Sequence, residues 1–143
     1  MSLYSLSQRT INTVVNTPSW EIRSASSDKP RLIEVGITQV NATSGEYGLG
    51  RPGQIGLVPT APQNFVTESD SGASSALTTG AVAWGTAPTS PTYFNRRAMP
   101  NATVGAGVIW SFPRGIDIPQ SSSLVIWLAT TSPVCDVWAV VDE

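Results

Sequence analysis

Histidine is missing from this chain, and cysteine and lysine occur once each, as Cys135 and Lys29. Without an imidazole there is no Ser-His-Asp relay, and no G-x-S-x-G elbow is present. A Ser-Lys pair would need Lys29, which stands in the turn Ser26-Ser27-Asp28-Lys29-Pro30 and reads as a solvated loop charge. The usual Zn²⁺ ligands are absent as well. A lone cysteine forms no intramolecular disulfide, so folding requires no oxidising compartment. Next to Asp136 and far from any base, Cys135 reads as a buried, inert thiol.

Charge is scarce too. Charged residues make up 13% of the chain, with 10 Asp plus Glu against 8 Lys plus Arg and a net charge of −2. That leaves no global positive field with which to grip phosphates. The carboxylates are scattered singly, so a glycosidase pair would have to come from distant strands, for example Glu34 and Glu46. The longest strongly apolar run, residues 124–129, is far short of the ~20 residues that span a bilayer. The start MSLYSLSQRT lacks a charged segment followed by an apolar one, so no secretory signal is read there. Taken together these absences predict a soluble protein made in a cytosol. They predict no enzyme, no cofactor, no metal, and neither a nucleic-acid nor a membrane partner.

What is present is strand and turn material. No stretch repeats apolar residues at helical spacing without a Gly or Pro interrupting it, so almost no helix is expected. Short runs rich in β-branched and aromatic residues recur between turn clusters. They fall at residues 10–15, 19–24, 31–40, 54–58, 64–67, 79–84, 93–99, 107–112, 124–129 and 134–141. In 31–40, Ile33, Val35 and Ile37 share one face and Glu34 and Thr38 the other, the alternation of a half-covered strand. LVIWLA at 124–129 is apolar on both faces and is the candidate for a central, fully covered strand. Gly-rich 45–53, ESDSGASS at 68–75 and Pro113-Arg114-Gly115 read as loops or turns. The whole predicts one domain over 1–143: an all-β, single-domain antiparallel β-sandwich, jelly-roll-like, with 1–9 as an N-terminal arm or a frayed terminus.

Gly48-Leu49-Gly50-Arg51-Pro52-Gly53 matches G-x-G-x-x-G in form, with Asp70 downstream. A dinucleotide site needs a helix to open inside the motif, and Pro52 followed by QIGLVP favours a turn and a strand. The glycines then serve left-handed turns or a bulge. Glu68 and Asp70 could supply oxygens for Ca²⁺, but without EF-hand spacing. Asn41-Ala42-Thr43 and Asn101-Ala102-Thr103 match glycosylation sequons, which carry little weight without a secretory signal.

Five tryptophans stand out: Trp110, Trp127 and Trp138 lie in strongly apolar strands and read as core, whereas Trp84, beside Gly85, reads as partly exposed. Arg96 and Arg97 are adjacent in a strand and so point to opposite faces. With Arg114 and Trp84 they are the candidate interface residues, the arginines as intersubunit ion pairs or as ordinary surface pairs worth under ~1 kcal/mol each. The excess of Arg over Lys fits interfaces, or a GC-rich genome.

The segments LYSLSQRTINT…SWEIRSA, RLIEVGITQVNATSGEYGLGRPG, AVAWGTAPTSPTYFNRRAMP, GVIWSFPRGIDIPQSSSLVIWLA and terminal VWAVVDE resemble small proteins of tailed-bacteriophage head-gene clusters, the capsid decoration or cement proteins. The resemblance covers nearly the whole chain. It implies a jelly-roll or related β-fold on the outer surface of the virion capsid, made in the host cytoplasm, with the major capsid protein as partner. It also implies a homo-oligomer, a trimer in preference to a dimer. Such a protein binds the expanded shell, bridges neighbouring capsomers and opposes the pressure of packaged DNA, since whatever binds only the assembled shell stabilises it by mass action. The alternative is a trimeric tail or fibre component, or a carbohydrate-binding module, that recognises a host receptor with exposed Trp or Tyr.

Overall fold

Alternation of side chains along each strand gives this chain more apolar faces than one flat sheet can bury, and the chain rolls up to cover them. The computed structural model describes residues 2–68, 75–130 and 134–143. Among these there are twelve strands and no helix: β1 (Leu3–Arg9), β2 (Thr17–Arg23), β3 (Arg31–Gln39), β4 (Tyr47–Pro52), β5 (Leu57–Pro59), β6 (Gln63–Thr67), β7 (Ser75–Ala81), β8 (Trp84–Thr86), β9 (Pro91–Ala98), β10 (Gly107–Asp117), β11 (Ser123–Leu128) and β12 (Cys135–Asp142).

Their pairing follows one rule. β1 pairs with β12, β2 with β11, β3 with β10, β4 with β9, β5 with β8 and β6 with β7, all antiparallel. The described chain is thus one long hairpin folded back at β6–β7, and the hairpin is then rolled. Rolling adds the lateral pairs β1–β6, β3–β12, β2–β7 and β4–β11. This is the wiring of a jelly roll, and it bears out the expected fold.

The product is a ten-stranded sheet, β10-β3-β12-β1-β6-β7-β2-β11-β4-β9, with β5–β8 as a separate ribbon. Its two halves face each other across the core. Trp20 on β2 donates its indole N–H to Gln8 Oε1 on β1 at 2.6 Å and stacks on Phe65 of β6 with centroids 6.2 Å apart. Tyr47 on β4 reaches Cys135 Sγ on β12 at 2.9 Å. The end strands do not pair, but Arg96 of β9 lies over the Phe112 ring of β10, 5.0 Å from its centroid. Arg51 of β4 donates to the Asp117 carbonyl of β10. Side chains thus bridge a nearly closed barrel.

Several local readings need correcting. Residues 10–15 form a connection, and residues 3–9 are no free arm: they are β1, hydrogen-bonded to β12 on one side and β6 on the other. The Gly-rich stretch contains a strand, β4, whose glycines have no left-handed backbone but admit close neighbours. A Cβ on Gly48 would stand 2.4 Å from the Phe94 ring, and one on Gly50 2.6 Å from the Tyr93 carbonyl oxygen. Pro113-Arg114-Gly115 does not end a strand. It is a bulge inside β10, opposite Ile33, with Gly115 at φ 69°. Ile33 is itself the extra residue against β12, so Leu32, Val35 and Ile37 enter the core and Ile33 is half-buried outside it. The fully covered strand expected at 124–129 is found one residue earlier: every residue of β11 is buried, and Ala129 beyond it is half-buried. Of the 68–75 loop, residues 69–74, including Asp70, lie outside the described residues.

Candidate functional site

The outward side of the half-sheet β2-β11-β4-β9 is roofed. Trp20 and Ile22 point into the core, so Glu21 between them points out, yet it is 0% exposed. The β5–β8 ribbon and its flanks close over it. Glu21 Oε1 accepts from the Gly56 amide at 2.9 Å and from Ser123 Oγ at 2.7 Å. Oε2 accepts from Trp84 Nε1 at 2.7 Å and Arg23 at 2.9 Å. Two donors per oxygen satisfy the carboxylate and offset its desolvation. Further along the same face, Trp127 sits under the 10–16 connection and donates to Asn16 Oδ1 at 3.1 Å.

The outward side of the other half-sheet has no strand stacked on it among the described residues. Register across β10, β3, β12 and β1 sorts it into rows: Asp117-Arg31-Asp142-Leu3, Ser111-Glu34-Val140-Ser5, Ile109-Gly36-Trp138-Ser7 and Gly107-Thr38-Asp136-Arg9. Trp138, expected in the core, belongs here. It is half-buried because its indole lies on Gly36, where a Cβ would stand 2.2 Å from the ring. Ile109 beside it is 63% exposed. The two end rows carry ion pairs, Arg31 with Asp117 and Arg9 with Asp136, each at 2.8 Å. The double hydrogen bond from Arg9 holds the Asp136 carboxyl below the usual carboxylate range. Trp138, Ile109 and Val140 make an apolar centre, with Glu34 at its edge accepting a hydrogen bond from Ser111 and ion pairs at the rim, close to the usual plan of a protein interface.

A third surface lies at one end of the barrel, where connections 10–16, 40–46 and 99–106 emerge beside the end of β11 and the start of β12. These connections contain no aromatic residue, and their one charged residue is Glu46, which pairs with Arg97. They display Ile11, Val14, Val15, Met99 and Val104, five of the twelve exposed large apolar side chains among the described residues. Hydrogen bonds brace the end. Asn12 Nδ2 donates to Thr17 Oγ1 at 2.8 Å and to the Pro18 carbonyl at 3.0 Å, while Gln39 Nε2 donates to the Asn101 carbonyl at 2.7 Å. Below it, burial pushes the Cys135 thiol up to about 11, so it stays protonated and inert, as expected.

The four candidate interface residues are not gathered at one place. Arg96 lies on Phe112 at the seam between β9 and β10, beside the bulge from which exposed Arg114 projects. Arg97 faces the opposite way, over the Phe94 ring at 4.6 Å and 3.7 Å from Glu46. Trp84 is tied down by Glu21. Near the seam, Arg51, Pro52, Gly53, Thr92, Tyr93, Phe94 and Asn95 line an open groove of about 340 Å³, and Tyr93 is 84% exposed. Glu21 and Ile109 escaped the sequence reading. Their signal was there: each occupies the outward phase of a strand, one charged where apolar neighbours surround it, the other apolar where solvent is expected.

Compared with known proteins, the chain matches no family model, and no curated protein or solved structure is significantly similar to it.

Proposed function

We propose that this protein is a structural component of a virion: a decoration protein that binds the outer surface of the expanded capsid of a tailed phage and bridges neighbouring capsomers. The observation that carries the reading is the braced end with its five exposed apolar tips, whose few charges are held in ion pairs at its margin. Such a surface offers nothing to phosphate, which needs cations, and nothing to a sugar ring, which is gripped by aromatic faces and polar groups. It suits a neutral protein surface, against which burying apolar area drives binding. Preformed loops also lose little entropy on docking. Binding only the expanded lattice would stabilise that lattice by mass action.

The test is co-sedimentation with expanded and unexpanded heads of the major capsid protein from the same genome. Saturation at a fixed ratio on expanded heads alone is expected, with Val14→Asp and Val104→Asp each weakening it about tenfold or more. No binding to either form sinks the reading. The groove at exposed Tyr93, beside Arg51 and Asn95, favours a second reading, recognition of a host glycan. A saturable glycan affinity abolished by Tyr93→Ala would establish it instead.

A further inference from the structure

We propose that the open face of β10-β3-β12-β1 is a self-association surface, which seats the same face of a second copy about a two-fold axis parallel to the strands. The inference goes beyond shell binding and does not depend on it.

Charge selects the partner and the axis. A two-fold axis along the strands, between β3 and β12, sets β3 against the partner's β12 and β10 against the partner's β1. Arg31 then faces the partner's Asp142, and the reciprocal pair forms across the axis. Asp117 faces the partner's Leu3, Glu34 the partner's Val140, Asp136 the partner's Thr38, and Arg9 the partner's Gly107. No two like charges meet. An axis across the strands instead would set Asp142 against the partner's Asp136, which like-charge repulsion disfavours.

Shape agrees. The Trp138 indole reaches from β12 over Gly36 of β3, across the line of the axis, so the two indoles meet there. Ile109, large and exposed, falls opposite the small Ser7 of the partner. Sheets stacked face to face sit ~10 Å apart, with large side chains over small ones filling the space.

Area sets the strength. Four strands ~4.8 Å apart and ~30 Å long present roughly 600 Å² on each side, somewhat below the ~800 Å² per partner of a standard interface. So small an interface suits a weak, reversible dimer, with Kd on the order of 10 μM or above.

The experiment is analytical ultracentrifugation of the full chain without heads, from about 1 μM to about 1 mM, a span that brackets that Kd. Wild type should pass from monomer to dimer. Arg31→Asp sets a carboxylate against the partner's Asp142 at both symmetry-related places, and Asp142→Arg sets two arginines together at both. Each variant alone should dimerise roughly 100-fold more weakly. Mixed in equal amounts they should recover the dimer, because both facing pairs in the mixed species are opposite in sign: one pair is the two introduced groups, the other the two native ones. That recovery also shows that both variants are folded. A wild type that is monomeric throughout, a trimer, or a mixture that stays monomeric overturns the proposal. So does a monomeric wild type whose binding to expanded heads is lost on Ile109→Glu, which would assign the face to the shell.

Discussion

Glu21 and Trp138 occupy equivalent places on opposite sides of the barrel, each on the outward phase of a strand between inward apolar neighbours. Glu21 is a charge sealed from water, and Trp138 is a large apolar side chain left partly in it. On the roofed side a carboxylate organises the layer above it by accepting four hydrogen bonds. On the open side a glycine lets an indole lie flat and makes an apolar centre with no described strand above it. Outward therefore does not mean exposed. It means dependent on what the rest of the chain, or another chain, lays on top.

The largest expected effect is at Glu21. Glu21→Ala strands the Gly56 amide, a serine hydroxyl, an indole N–H and Arg23 in a dry layer, and should cost about 3–5 kcal/mol in urea unfolding. A loss under about 1 kcal/mol would mean the ribbon is wet and the contrast false. Next come the two glycines. A Cβ on Gly56 meets Trp84 at 2.4 Å and Glu21 at 2.8 Å, both held by hydrogen bonds. Gly56→Ala should cost about 2–3 kcal/mol through overpacking, whereas Gly36→Ala should cost about 1 kcal/mol, because the Trp138 indole can swing into solvent. Equal costs at the two sites would show that the open face is as constrained as the roofed one. Tryptophan emission should move red only in the Gly36 variant.

Ile109→Ser should change monomer stability by less than about 0.5 kcal/mol, since little area is lost from the core. A clear destabilisation would mean that something of this chain packs there. The smallest effect is the rim pair. Asp136 titrates lower folded than its unfolded value of about 3.9, so its contribution is present above that value and is lost as pH falls through the folded one. The difference in unfolding midpoint between wild type and Arg9→Gln should thus fade as pH drops from about 5 to about 2, and also in high salt.

Much of this molecule was legible in sequence. Alternation in residues 31–40 and the unbroken run at 124–129 marked a half-covered and a fully covered strand, and both are found. Errors came where a residue type misleads locally. Gly48 and Gly50 look like turn residues, but they are strand residues that make room for Phe94 and the β9 backbone. Ile33 breaks its own alternation because a bulge, invisible in composition, shifts the phase by one. Residues 3–9 carry few apolar side chains and look like an arm; pairing on both edges makes them a strand. Of the candidate site, the arginines were found but not their dispersal, and the apolar end appears only once three separate connections converge.

The sequence by itself determined that the protein is all β, where most strands run, and which of their side chains alternate together. Those properties are local, because the side-chain period of a strand is set by its own backbone. Only the tertiary structure decided which outward faces are dry. Glu21 is buried because the Gly56 amide, 35 residues away, and Ser123 Oγ, 102 residues away, close on it. Trp138 stays half in water because no described strand folds back over it. Burial is a property of pairs of surfaces, and no strand carries both.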